Sequence, residues 1–172
     1  MKTIKALLLA LLISSLSLAC KKVSMPPKPT QTGANTMYAK VNGQPWQKAA
    51  CWSCIGGGGG LNRNYDDRTY FNITGENPKD GNSTITIVIP NLKIMGQYEL
   101  SAQNLNFARF NRYNPETERF YTSLTNKGKV TITKLDLTNK IISGTFEFSA
   151  EDENNSANTV KVTGGWFDIT FN

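Results

Sequence analysis

Few residues of this chain could do chemistry, and the first are Cys51-Trp52-Ser53-Cys54, followed by Ile55 and the run Gly56 to Gly60. Two cysteines at this spacing suit a redox pair, a structural disulfide or half of a metal site. In redox enzymes the reactive thiolate sits at a helix N-terminus. Five consecutive glycines, each costing a helix about 1 kcal/mol, cannot continue into one. A c-type haem needs histidine directly after the second cysteine, where Ile55 stands. Zinc would need two further ligands, from carboxylates or a second copy, since the chain has no histidine and its third cysteine is Cys20. A bridge demands a turn at Trp52-Ser53: Cα atoms three residues apart in an extended strand are roughly 10 Å distant, against about 4.4–6.8 Å in a disulfide. A structural disulfide or an inert pair therefore stands ahead of metal or redox chemistry. The glycine run lacks the Lys-Ser/Thr ending of a phosphate loop and reads as a mobile hairpin tip. A loop beside Trp52 is still a place where a binding site is readily built.

The lack of histidine removes Ser-His-Asp and Cys-His catalysis and histidine-ligated zinc within one chain. No spacing signals a carboxylate pair or a Ser-Lys arrangement, so no catalytic residue, metal or cofactor is assigned. The segment Phe107 to Ser123 mixes Phe107, Phe110, Tyr113, Phe120 and Tyr121 with Arg109, Arg112 and Arg119. Aromatic faces beside guanidinium groups suit sugar rings, nucleobases or anionic polymers, which makes Arg109, Arg112, Tyr113 and Tyr121 candidate ligand contacts together with Trp52. The plainer reading is a hairpin turning at Asn114-Pro115-Glu116-Thr117, with aromatics in the core and arginines in water. Glu151, Asp152 and Glu153 lack the ligand spacing of a calcium loop and read as a solvated turn.

These residues depend on elements that place them. Lys2 and Lys5, an apolar run from Ala6 to Ile13 and the ending Leu16-Ser17-Leu18-Ala19-Cys20 read as a signal peptide over 1–19 closed by a lipobox, with Cys20 the lipidated first residue of the mature chain. The apolar run is too short to span a bilayer. Residues 20–36, with Pro26, Pro27 and Pro29, read as a tether, stiff in its first half and flexible in its second. The net charge of +6 falls to +4 with the leader removed, and no Lys/Arg cluster is dense enough to argue for nucleic acid.

Residues 37–172 alternate with period two wherever they are apolar, which predicts one all-β domain. Met37, Ala39 and Val41 share a face that ends at the turn dipeptide Asn42-Gly43, and Trp46 begins the return. Phe71 and Ile73, then Ile85, Ile87 and Ile89, then Tyr98 and Leu100 mark further strands. In the last third Val130 and Ile132, then Ile142 to Ala150, then Val160 to Phe171 predict a three-strand antiparallel meander. Val160 and Val162 have the opposite parity to Phe167, Ile169 and Phe171, and Gly164-Gly165 is where a β-bulge could absorb the change. The whole predicts an antiparallel β-sandwich, or a barrel-like variant, of about nine to ten short strands.

The stretches Val41-Asn42-Gly43-Gln44-Pro45-Trp46, Val130 to Asp136, Ile142 to Phe148 and Val162 to Asp168 resemble a family of uncharacterised Bacteroidota lipoproteins. The resemblance implies a small β-sandwich under a lipid anchor, without an active site to carry over. Lys21 and Lys22 depart from the acidic residues that resemble a surface-export signal there, which favours the periplasmic face of the outer membrane. Three functions follow as expectations. The first is a non-catalytic accessory module that meets an envelope protein or glycan. The second is a glycan-binding module stacking sugars on Trp46, Trp52, Trp166 or the Tyr113/Tyr121 region. The third is a thiol-active protein using Cys51 and Cys54.

Overall fold

The computed structural model describes residues 27–50, 60–66, 70–102, 105–113 and 115–171; Cys20, Cys51, Trp52 and Cys54 lie outside them. The described chain is all-β: β1 (Thr36–Val41), β2 (Gln44–Gln47), β3 (Leu61–Asp66), β4 (Tyr70–Asn77), β5 (Ser83–Pro90), β6 (Gly96–Leu100), β7 (Phe107–Arg112), β8 (Glu118–Tyr121), β9 (Gly128–Asp136), β10 (Ile141–Asp152) and β11 (Thr159–Thr170). All pairings are antiparallel. The sheet runs β2-β1-β11-β10-β8-β7-β5-β4-β3, with β9 and β6 branching from β10. The branch exists because β10 is 12 residues long. Its Ile141 to Phe148 pair with β9, and Glu151 and Asp152, on the same edge, pair with β8.

This one sheet curls into a half-barrel, the barrel-like form of the expected architecture. Alternation supplies the reason: Met37, Ala39, Phe71, Ile73, Ile85, Ile87, Ile89, Val130, Ile142, Val162 and Ile169 are all fully buried on the inner face, and a flat sheet could not shield them. The two ends of the sheet meet across the core, with Phe71 of β4 5.9 Å from Phe167 of β11 and Tyr65 of β3 edge-on to Phe171 at 4.8 Å. Trp46 of β2 buries its ring, and its Nε1–H donates to Ser83 Oγ at 2.9 Å. Beyond β2, Ala49 N–H donates to Glu76 O of β4, which draws the two edges together. Leaving the Trp46 N–H without Ser83 would cost about 1–3 kcal/mol.

The first hairpin turns through Asn42 (φ 48°) and Gly43 (φ 80°), the left-handed pair that matches strand twist. The bulge expected at Gly164-Gly165 is present. From Trp166 to Thr163 β11 advances three residues while β1 advances from Tyr38 to Lys40, and β10 shows the same offset between Phe146 and Phe148. Gly164 is the extra residue, at φ +56°. The bulge turns Phe167, Ile169 and Phe171 inward and Trp166 and Asp168 outward. The predicted meander is β9-β10-β11.

Among the described residues eleven strands stand where about nine to ten were expected, and β3 is the one without a clear sequence signal. Its inward positions carry Leu61, Arg63 and Tyr65, of which Arg63 donates through Nε to Thr170 O. The flexible second half expected for the tether is instead held against the sheet from Thr30 onward, by contacts described below.

Gly165 tests the bulge. A Cβ there would lie 2.4 Å from the Phe146 ring, whereas one on Gly164 would meet nothing within 4 Å. Gly165→Ala is expected to destabilise the fold by about 1–3 kcal/mol in urea unfolding. Gly164→Asn, which tolerates the left-handed backbone, is expected to cost no more than about 1 kcal/mol.

Candidate functional site

The sequence-predicted contacts divide between two faces. Phe110 and Phe120 oppose each other on the inner face, so Arg109 and Tyr121, their neighbours and cross-strand partners, point outward together. Tyr113 joins them, 42 % exposed, with its hydroxyl accepting from Asn111 Nδ2 at 3.1 Å. Arg112 does not: it shares the parity of Phe110, lies 5.5 Å from that ring and pairs with Glu118 at 3.2 Å. On the outward face Asn111 is buried, and its Oδ1 and the Nε of Arg109 have no partner.

Trp46 and Trp166 are 1 % and 5 % exposed, so neither can serve as a sugar-stacking platform. Trp46 belongs to the core, and Trp166 stacks beside Tyr38 at 6.4 Å. The acidic turn is engaged within the protein. Glu151 accepts from Ser123 Oγ at 2.9 Å and from Asn126 Nδ2, and these hydrogen bonds hold its carboxyl below the usual range. Asp152 Oδ1 accepts the backbone N–H of Asn154, and Glu153 pairs with Arg119 at 3.0 Å. No group of three metal-ligating side chains occurs among the described residues.

A concave surface forms instead on the outward face of β6, β9, β10 and β11. Strand alternation puts Gln97 and Glu99, Lys129 and Thr131, Thr145, Glu147 and Ser149, and Lys161 and Thr163 on that side. All but Thr131 and Thr145 line a furrow of about 500 Å³, adjoined by a second of about 300 Å³ that those two border, that shares Lys129 and Glu147 and that reaches Pro29 and Trp166. The larger volume lies in the range of small-molecule sites. Lys127 pairs with Glu99 at 3.2 Å and Lys129 with Glu147 at 3.1 Å, all four about half exposed. Lys161 has no ion pair among the described residues. Each strand by itself reads as a solvated polar face, and only their alignment reveals the furrow.

One end of this face is closed by a clasp. Asp168, fully buried, accepts through Oδ2 from Thr30 Oγ1 at 2.6 Å, Thr32 N–H at 2.9 Å and Ala34 N–H at 3.1 Å. Its Oδ1 accepts from Gly33 N–H at 2.9 Å and Ser143 Oγ at 2.8 Å. Asn35 Oδ1 accepts the Thr170 N–H at 3.0 Å, and Lys134 Nζ donates to Gln31 O at 3.0 Å. Burial works against the Asp168 charge, yet the hydrogen bonds from Thr30, Ala34, Ser143 and Gly33 outweigh it and hold the carboxyl down at about 2. The signal for this residue was a lone carboxylate among Trp166, Phe167 and Ile169 on a core strand.

A curled all-β half-barrel with a furrow on its outer face defines the class of fold. The chain belongs to the DUF6252 family, a domain of unknown function, whose model matches residues 60–169. No curated protein and no solved structure matches it.

The clasp predicts an acid limb in stability. Because the folded carboxyl titrates near 2, below the unfolded value of about 3.9, its contribution is complete above roughly pH 4 and is lost as pH falls toward 2. The contribution is about 2 kcal/mol. Urea unfolding from pH 5 to pH 2 is expected to show this loss. In Asp168→Asn the part of the pH dependence due to this group should vanish, with lower stability at neutral pH.

Proposed function

We propose that the protein is a non-catalytic binding module, held at the outer membrane by a lipid on Cys20 and facing the periplasm. The observation that carries the binding role is the furrow, whose charged, amide and hydroxyl groups stand on paired strands and so meet a ligand with little loss of conformational freedom. The chemistry around it favours holding over turnover. The chain has no histidine. The anchor rests on the leader and the Leu16-to-Cys20 motif.

A second reading, sugar stacking, keeps one supporting observation in the exposure of Tyr113 on the face that carries Arg109 and Tyr121. The thiol reading turns on Cys51 and Cys54, and insulin reduction abolished by Cys51→Ser is the result that would favour it.

Fractionation tests the anchor and cross-linking tests the binding. The intact protein is expected to incorporate labelled palmitate and to sediment with outer membranes, and Cys20→Ala to lose both. A Cys20→Ala protein that still sediments with the membrane overturns the anchor. Cross-linking in the intact envelope through a tag at Asn172 is expected to recover one stoichiometric envelope component; recovery of none counts against the binding role.

A further inference from the structure

We infer that the furrow over β6, β9, β10 and β11 is a site for an acidic oligosaccharide, a chain of hydroxyl-bearing rings with spaced carboxylates. This rests on the binding-module reading and gives it a ligand class.

Three ammonium groups, those of Lys127, Lys129 and Lys161, face the furrow against two carboxylates, Glu99 and Glu147. The cross-strand register explains their order. Glu99 opposes Lys129, Lys129 opposes Glu147, and Lys161 lies opposite Ser149 on the last strand. The two ion pairs are about half exposed, a setting in which pairing contributes little, so a ligand carboxylate can replace either glutamate without a large penalty. Lys161 requires no replacement, because its ammonium has no pair among the described residues, and it is the natural seat of the first ligand carboxylate.

Between the charges the polar part of the lining is hydroxyl and amide, Gln97, Ser149 and Thr163, continuing into Thr131 and Thr145 of the adjoining space; Phe148 and Val162 border the larger cavity and Pro29, Phe146 and Trp166 the smaller. Such groups both donate and accept, as ring hydroxyls do. Two neighbouring cavities that share Lys129 and Glu147 suit a chain of several rings more than a single small anion. A peptide strand fits less well. Where β9, β10 and β11 line the furrow each is paired on both edges, and β6, bonded to β9 alone among the described strands, has an edge open for strand addition only at the furrow's margin. The face offers side chains, and side-chain hydrogen bonding is what a carbohydrate uses.

Titration calorimetry of the full-length protein in detergent, at low salt, with an oligogalacturonate and its methyl ester tests this. The acid form is expected to bind at least tenfold more tightly than the ester and to weaken as salt is raised. Lys161→Gln is expected to lower affinity about fivefold, and Lys161→Arg to restore most of it. Gln97→Ala, which changes no charge, is expected to lower affinity about threefold. Matching thermal unfolding of these variants shows that each still folds. No measurable binding, equal binding of acid and ester, an unaffected Lys161→Gln variant, or polyglutamate binding as tightly as the sugar overturns the inference, the last in favour of an acidic peptide. The titration reads the furrow alone: a protein that binds the oligomer but fails to sediment with membranes keeps this inference and loses the anchor.

Discussion

A carboxylate with no access to water must be met by donors on every side, and Asp168, on the outward side of β11 beneath the N-terminal segment, sets this requirement. Its own sheet supplies one hydroxyl, from Ser143 on β10. The remaining donors come from Thr30 to Ala34, a stretch with no regular secondary structure that reaches back across most of the chain in sequence. Removing that stretch would leave Ser143 as the only protein donor to the carboxylate among the described residues and would open it to water. The fold therefore extends upstream of its first strand, and β1 is delivered to its place between β2 and β11 already aligned. The family match, over residues 60–169, includes Asp168 but not the segment that satisfies it.

The bulge at Gly164 links this clasp to the outer face. Without the extra residue, Asp168 would fall on the inner side of β11, facing the Phe71 and Phe146 side chains of the core, and Phe167 would turn outward. With it, the apolar residues after the bulge fill the core, and Trp166 and Asp168 turn toward the N-terminal segment. One inserted glycine thus decides which side of the strand carries charge. It also lies at the border of the smaller cavity, beside Pro29 and Trp166.

Much of the architecture was legible because the long strands alternate cleanly. Ile142 to Ala150 and Val160 to Phe171 announce both their buried faces and the parity change that requires a bulge. Strand β3 was not legible, since Arg63 occupies an inward position and its partner is a backbone carbonyl on a distant strand. The role of Asp168 was hidden for a related reason: three of its donors are backbone N–H groups, which every residue but proline carries and no pattern marks. Arg109, Tyr113 and Tyr121 share a face because the hairpin fixes their parity, and the same parity sends Arg112 away. The furrow has no local signature, being the product of four registers, and each of its lysines and glutamates looks by itself like an ordinary solvated residue.

The position of the clasp has a mechanical meaning. Any pull on the chain ahead of Thr30 reaches Asp168 before it reaches β1, and Asp168 stands on β11, a strand hydrogen-bonded along both edges by β1 and β10. Load entering there is shared by the interior of the sheet, whereas load entering at β2 or β3 would peel an edge strand one hydrogen bond at a time. A domain drawn about by its N-terminus would thus be gripped at its strongest seam.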